Sequence, residues 1–461
     1  MIPNYPTLSP LIDHLVHHGI TPLFVGGCVR DAWLGNESLD IDIELYGVNE
    51  PLLLEELLKP FGKINKVGKS FGVYKLRYQQ YTIDLSLPRT ENKSAPGHQG
   101  FDIQIHNELD FATASQRRDF TINAIGYNPI TKTLLDPHGG IDDLRTKYLR
   151  CVNPHTFIED PLRLLRAVQF AARFELTCDN ELLSLCRDMI SKGALEELPK
   201  ERIFEEFKKL FLKSSRPSIG MELLRTMGGL PFFTPLDQYE HTPQDPIKHP
   251  EGNVWVHTLM ALDVMAHLHT GDPKKDLVRM FAVLLHDCAK PSTTVIQDGE
   301  IKAPHHAKIG AEVAKLFLEK ITDEHTLRED VLPLIAYHGQ VRKLHKISAS
   351  DSDILHLSVH VCLEELILVA QADFFGRGFN SAPPERFEAG EWLKTHASRL
   401  GVLSSPLKPL MMGKDLIDMG LVPSTAFKKI LDAAYEAQLN RLFLTKDEAI
   451  QWTKSHLVMA L

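Results

Sequence analysis

The chain is poor in cysteine. Its six cysteines are scattered at 28, 151, 178, 186, 288 and 362 of 461 residues with no CxxC pair, which excludes a small disulfide framework. No apolar run approaches the ~18–20 residues of a membrane span, so no membrane partner is expected. The opening MIPNYPTLSPLIDHL lacks the basic-then-apolar layout of a secretory leader, and a cytoplasmic location is the expectation. There is no internal repeat, which excludes a solenoid. Positive charge is also short. With 51 Lys+Arg against 60 Asp+Glu the net charge is −9, and over the whole chain that argues against nucleic acid as a partner.

What is present is globular. Hydrophobic residues make up 43% and charged residues 24%, enough to build cores and too apolar for wholesale disorder. The length suggests about three domains at ~100–200 residues each. Up to residue 152 strand-like and helix-like segments alternate, and beyond it helical periodicity dominates. The Pro/Gly-rich stretch 240–252 (EHTPQDPIKHPEG) reads as a linker.

Leu23-Phe24-Val25 forms a short apolar strand, followed by Gly26-Gly27 and a helical stretch carrying Arg30 and Asp31. Residues 39–45 then alternate strictly, with Ile41, Ile43 and Leu45 on one face and Asp40, Asp42 and Glu44 on the other. Two carboxylates two residues apart on a strand project together, and hard oxygen ligands of this kind suit Mg²⁺. On its own such a pair also fits a solvated strand face. Bare N–H groups after a glycine turn can cradle phosphate, with Arg30 one turn in. Residues 71–78 and 81–87 read as a hairpin around Gln79-Gln80. Asp84 in the second strand fits either a third metal carboxylate or a solvated face. Residues 88–108 read as a polar, mobile loop.

Asp160-Pro161 starts a helix on which Arg163, Arg166, Phe170 and Arg173 share one face, while Leu162, Leu165, Val168 and Ala172 lie on another. A bland reading makes Asp160 a helix cap and the arginines a solvated face. A sharper one makes Asp160 and Arg163 a fixed acceptor and donor that imitate a Watson–Crick partner. Residues 145–216 carry 14 Lys+Arg against 11 Asp+Glu, so charge here is locally positive where phosphate attraction acts.

The combination of strand, Gly-Gly turn, Arg-Asp helix and Asp-x-Asp strand resembles the class II tRNA nucleotidyltransferase and bacterial poly(A) polymerase family. The likeness continues through Arg117-Arg118-Asp119-Phe120-Thr121-Ile122-Asn123-Ala124, Asp136-Pro137 to Leu144, Glu159-Asp160-Pro161-Leu162-Arg163 to Arg166, and Glu201-Arg202-Ile203-Phe204-Glu205-Glu206-Phe207. It implies an α+β fold, a DNA polymerase β-like nucleotidyltransferase head over 1–152 followed by an all-α body. In that frame Asp40 and Asp42 are catalytic and bind Mg²⁺. Gly27, Arg30, Arg118, Asp119, Asn123 and Arg166 contact the nucleotide, and Asp160 with Arg163 selects CTP and then ATP. Segment 88–108 falls at the family's flexible loop, with Arg89 and Glu91 as its candidates. Residues 153–245 form the nucleotide-selecting and RNA-binding domain.

Further on, His257, the pair His286-Asp287 and Asp373 occur in an order that resembles the HD phosphohydrolase superfamily. Imidazole with carboxylate suits Ni²⁺, Mn²⁺, Co²⁺ or Fe²⁺ rather than Mg²⁺. His306 and His338 resemble the extra histidines of two-metal members. The resemblance implies an HD domain over 246–380 with phosphatase or 2′,3′-cyclic phosphodiesterase activity. Residues 381–461 resemble the helical tail of the bacterial enzymes, with Ser424 after Pro423 where the family usually has glycine. The expected function is addition of C, C and A from CTP and ATP to the tRNA 3′ end. Poly(A) polymerase, CC-only or A-only addition, and an HD phosphohydrolase with an RNA-binding head are the alternatives.

Overall fold

The computed structural model describes residues 5–48, 51–67, 73–93, 101–105, 109–379 and 384–458. The chain divides into two compact units, Met1–Phe232 and Phe233–Leu461. The division lies upstream of the Pro/Gly-rich stretch 240–252. Leu236 and Tyr239, just before that stretch, are fully buried, and Tyr239 donates from Oη to Leu284 O at 3.3 Å, which ties the segment leading into it to the second unit.

The first unit is built on a mixed sheet. Its strands are β1 (Thr21–Val25), β2 (Asp40–Tyr46), β3 (Ile64–Val67), β4 (Val73–Tyr78), β5 (Tyr81–Ser86), and, after a separate hairpin of β6 (Arg89–Lys93) and β7 (Phe101–Ile105), β8 (Gly126–Asn128) and β9 (Thr133–Leu135). The order is β3-β4-β5-β2-β1-β8-β9. Within this sheet, among the described residues, only β2 and β5 pair in parallel, and their register sets Asp42 beside Asp84. The turn between β4 and β5 falls at Gln79, which has φ +54°.

The alternation of β2 is observed where it faces the core. Ile41, Ile43 and Leu45 are at most 1% exposed, each contributing about 2 kcal/mol of apolar burial. Glu44 departs from the expected pattern. It is buried, because Arg117 pairs with it at 3.0 Å and Tyr46 donates to it at 2.9 Å. Segment 88–108 is also corrected in part. Arg89–Lys93 and Phe101–Ile105 form an antiparallel ladder rather than a loop, while 94–100 and 106–108 lie outside the described residues.

Helices follow. In the first unit the Leu162–Phe174 helix packs on Lys200–Lys213 and Pro217–Thr226, burying Leu162, Leu165, Val168 and Ala172. In the second unit the Val254–His267, Pro273–Leu285, His325–Tyr337 and Leu363–Phe375 helices pack together. Asn253 and Asp272 cap the first two by accepting backbone N–H groups. A smaller core of Leu416, Ile430, Ala434, Phe443 and Ala449 holds the tail. Among the described residues no helix is long and apolar enough to cross a membrane.

Candidate functional site

Two chemically different sites are present, one in each unit. In the first unit a cavity of about 470 Å³ is lined by Gly27, Arg30, Asp42, Arg118, Asp119, Asn123, Asp160, Arg163 and Arg166, among others. Of the ten catalytic and nucleotide-contacting residues expected from sequence, only Asp40 is absent from the lining. It begins β2 on the same open face and is exposed.

The glycine turn brings β1 to the Gly27–Trp33 helix. Gly26 has φ +72° and ψ −128°, a conformation open to glycine, and a Cβ there would lie 2.5 Å from Arg118 Nη1. Arg118 donates to Asn123 O at 3.2 Å. Arg30 is buried, donates to the Asn123 side chain and to Asp31, and lies over the rings of Phe174 and Phe170 at 4.5 and 5.3 Å. Asp31 also pairs with Arg173 at 3.2 Å. These contacts hold the guanidinium groups in fixed directions.

Asp119 organises the same wall. Its Oδ1 accepts from Phe120 N at 2.8 Å and Asn123 Nδ2 at 3.0 Å, and its Oδ2 from Arg166 at 2.6 Å. Burial alone would raise its pKa. Arg166, the Asn123 amide and Arg163 outweigh that and hold it below the ordinary value.

Asp42 and Asp84 sit side by side on β2 and β5. The walls of the cavity strip water from Asp42, and the neighbouring Asp84 and Asp40 add repulsion, so its pKa stands above the ordinary value against the pull of Arg118. One Asp84 oxygen is buried without a hydrogen bond, with Lys75 Nζ 3.5 Å away. Three adjacent carboxylates fit a hard divalent cation.

The Leu162–Phe174 helix turns Arg163, Arg166, Phe170 and Arg173 into the cavity. Asp160 accepts from Leu162 N at 3.1 Å and lies 3.5 Å from Arg202. Arg163 donates to Thr156 O at 2.8 Å and Arg117 O at 2.6 Å. Sequence reasoning missed Gln169, Lys209 and Lys213 in the lining. The two lysines lie a turn apart on Lys200–Lys213, a spacing that was visible but had nothing to point at. Burial, Arg173 and Lys209 hold the Lys213 pKa below its ordinary value. Such crowding of cations is relieved by an arriving phosphate. Nine cationic side chains and three carboxylates line the cavity, so its local charge is opposite to that of the chain.

The second site gathers all six expected ligands. His257 is on the Val254–His267 helix, His286 and Asp287 end Pro273–Leu285, His306 opens His306–Ile321, His338 ends His325–Tyr337, and Asp373 is on Leu363–Phe375. They form two donor groups, His257 with His286 and Asp373, and Asp287 with His306 and His338. His257 Nε2 lies 3.1 Å from His286 Nε2 and 3.2 Å from Asp373 Oδ1. His306 and His338 face each other through Nε2 at 3.4 Å.

Tautomers make this arrangement informative. His286, His306 and His338 each hold Nδ1 at 2.7–2.8 Å from a backbone carbonyl, those of Val283, Ala303 and Ile335. An Nδ1–H donated there leaves a lone pair on Nε2. Facing lone pairs, as on His306 and His338, repel unless a cation lies between them. Both Asp287 oxygens are buried without a hydrogen bond, although Lys290 Nζ is 2.7 Å from one. Two facing imidazole pairs with two buried carboxylates therefore fit two borderline divalent ions. Burial and the nearby His286 push the His338 pKa down to about 3, which keeps its imidazole neutral. Lys290 beside Asp287, and Arg342 and Arg377 beside Asp373 at 3.3 and 3.2 Å, were not singled out from sequence.

Comparison with known proteins matches three families to successive parts of the chain. The poly A polymerase head domain family matches residues 23–150, the family described as "probable RNA and SrmB-binding site of polymerase A" matches 175–236, and the HD domain matches 254–375. The chain is 33% identical to the multifunctional CCA protein of Nitrosococcus oceani over 371 residues, 78% of this chain and 86% of that one. It is 32% identical to the protein of the same name from Methylococcus capsulatus, over 83% of this chain and 88% of that one. Among solved structures, a CCA-adding enzyme in complex with CTP aligns with a TM-score of 0.65 at 19% identity, over 98% of this chain and 96% of that one. The Thermotoga maritima CCA-adding enzyme bound to tRNA aligns with a TM-score of 0.60 at 19% identity, over 98% and 96%; these likenesses speak to the fold. With about a third of its residues identical across more than three quarters of its length, the chain belongs to the multifunctional CCA protein family.

Proposed function

We propose that the first unit adds C, C and A from CTP and ATP to the tRNA 3′ end, and that the second hydrolyses phosphoesters. The observation that carries the first part is a single cavity joining the Asp42 strand to the Asp160–Arg163–Arg166 face and a crowd of cations. The tRNA 3′-hydroxyl attacks the α-phosphate, forming one P–O bond while pyrophosphate leaves. Mg²⁺ held by Asp40 and Asp42 would lower the pKa of the attacking hydroxyl and steady the leaving group. Arg30, Arg118, Arg173 and Lys213 hold the phosphates. Asp160 and Arg163, fixed by their backbone and ion-pair contacts, present an acceptor and a donor to the base edge. The tRNA would be recognised through A-form shape and phosphates, since its deep groove hides base identity.

In the second unit His257, His286, Asp287, His306, His338 and Asp373 would hold two ions drawn from Ni²⁺, Mn²⁺, Co²⁺ or Fe²⁺. Ions so placed supply a water of near-neutral pKa as nucleophile. Lys290, Arg342 and Arg377 are placed to orient the substrate phosphate. The two chemistries should separate. Asp42→Ala is expected to abolish nucleotide incorporation and leave hydrolysis of a phosphomonoester intact, and Asp287→Ala the reverse. Loss of both activities in either folded variant would contradict the two-site reading.

A further inference from the structure

Glu251 comes from the stretch whose composition reads as a linker, yet its side chain is only 2% exposed. Its Oε1 lies 2.9 Å from His249 Nδ1 and 2.9 Å from His257 Nδ1, and its Oε2 accepts from Gly378 N at 3.0 Å. His257 is fully buried with Nε2 turned toward His286 and Asp373.

The four histidines of the second site need the same tautomer, and three obtain it locally. His286, His306 and His338 stand at helix ends, where the carbonyl three residues back is open to Nδ1–H. His257 lies near the start of the Val254–His267 helix, and its Nδ1 faces Glu251 rather than a carbonyl of its own helix. Glu251 is the group within reach.

We propose that Glu251 is a positioning residue of the metal centre. It keeps the proton of His257 on Nδ1, aims Nε2 at the ion, and as a charged acceptor makes the imidazole a stronger donor. The same oxygen holds His249 at the wall of a neighbouring cavity of about 390 Å³ shared with Lys290 and His306. We assign Glu251 a supporting role rather than that of a ligand, because its Oε1 accepts from His249 and lies 2.9 Å from His257 Nδ1, while its Oε2 accepts from Gly378 N. The inference rests on the metal reading of the second site.

The test measures metal binding by the full chain. Co²⁺ is titrated against a competing chelator into Asp42→Ala protein, which removes the head's carboxylate site, and into the same protein carrying Glu251→Gln or Glu251→Ala. Affinity, stoichiometry and the visible Co²⁺ spectrum are read together with the unfolding midpoint. Glu251→Gln is expected to weaken binding about 10–100-fold at one ion, to shift the spectrum, and to leave stoichiometry and unfolding midpoint in place. Glu251→Ala should weaken it at least as much. If the alanine variant does not fold, the isosteric glutamine variant carries the test. Unchanged affinity and spectrum overturn the proposal, as does outright loss of one equivalent in Glu251→Gln, which would make Glu251 a ligand. If the unsubstituted site binds no Co²⁺, the metal reading itself falls, and the proposal with it.

Discussion

Replacing Asp119 by asparagine tests whether the wall of the first cavity is held as described. The carboxylate serves three donors, Phe120 N, Asn123 Nδ2 and the Arg166 guanidinium. An asparagine keeps one oxygen for the first two and turns its own NH2 toward Arg166, donor against donor. A hydrogen bond to a charged group contributes about 1.5–3 kcal/mol. Arg166 is 30% exposed, so water recovers part of the loss, and about 2 kcal/mol of destabilisation is expected at pH 7. The pKa of Asp119 is depressed in the fold. Its contribution is therefore fully present above the unfolded value of about 3.9 and is lost as pH falls through the lower folded value. Urea unfolding of both proteins from pH 7 to pH 3 should show a gap of about 2 kcal/mol that narrows below pH 4. Because Asn123 also receives Arg30, kcat/KM for CTP incorporation should fall about 100-fold through misplacement alone. A gap under about 0.5 kcal/mol at pH 7, or one constant down to pH 3, would mean that the Asp119 carboxylate does not hold this wall.

Gly26→Ala should destabilise the first unit by about 2 kcal/mol, from the positive φ and from a Cβ placed against Arg118. Displacement of that guanidinium should lower incorporation by at least about tenfold; urea unfolding and single-nucleotide addition check the two effects separately. Arg163→Ala should cost base choice more than turnover. A bidentate base contact discriminates by about 1–3 kcal/mol, so CTP-over-UTP selectivity should fall about 10–100-fold in competition assays.

The residues that sequence made legible are those whose role has a period or a neighbour in the chain. Alternation exposed β2 and its carboxylates, and the Arg163–Arg173 face followed from helical spacing. Paired motifs made the second site readable, since His286-Asp287 marks the end of a helix and the remaining ligands fall on other helices in order. What stayed hidden depends on contacts between distant segments. Glu44 obeys the alternation of an open face and is buried only because Arg117 and Tyr46 cover it. The Arg89–Lys93 strand, RTENK, is entirely polar apart from its aliphatic stems and carries no apolar rhythm; it is recognisable only through its ladder with Phe101–Ile105. Glu251 sits among prolines and glycines, where composition reads a linker and burial reads a structural residue. Lys209 and Lys213 gain meaning only when Arg173 is brought beside them.

If the first unit builds CCA and stops, product length shows it. The direct measurement gives the purified chain tRNA ending before CCA, after C and after CC, with CTP and ATP separately and together, and reads product length. CTP alone should add two, one and no nucleotides, ATP alone should extend only the tRNA ending in CC, and both together should complete all three to the same end. A long A tail, arrest after CC in the presence of ATP, or no extension at all would contradict it.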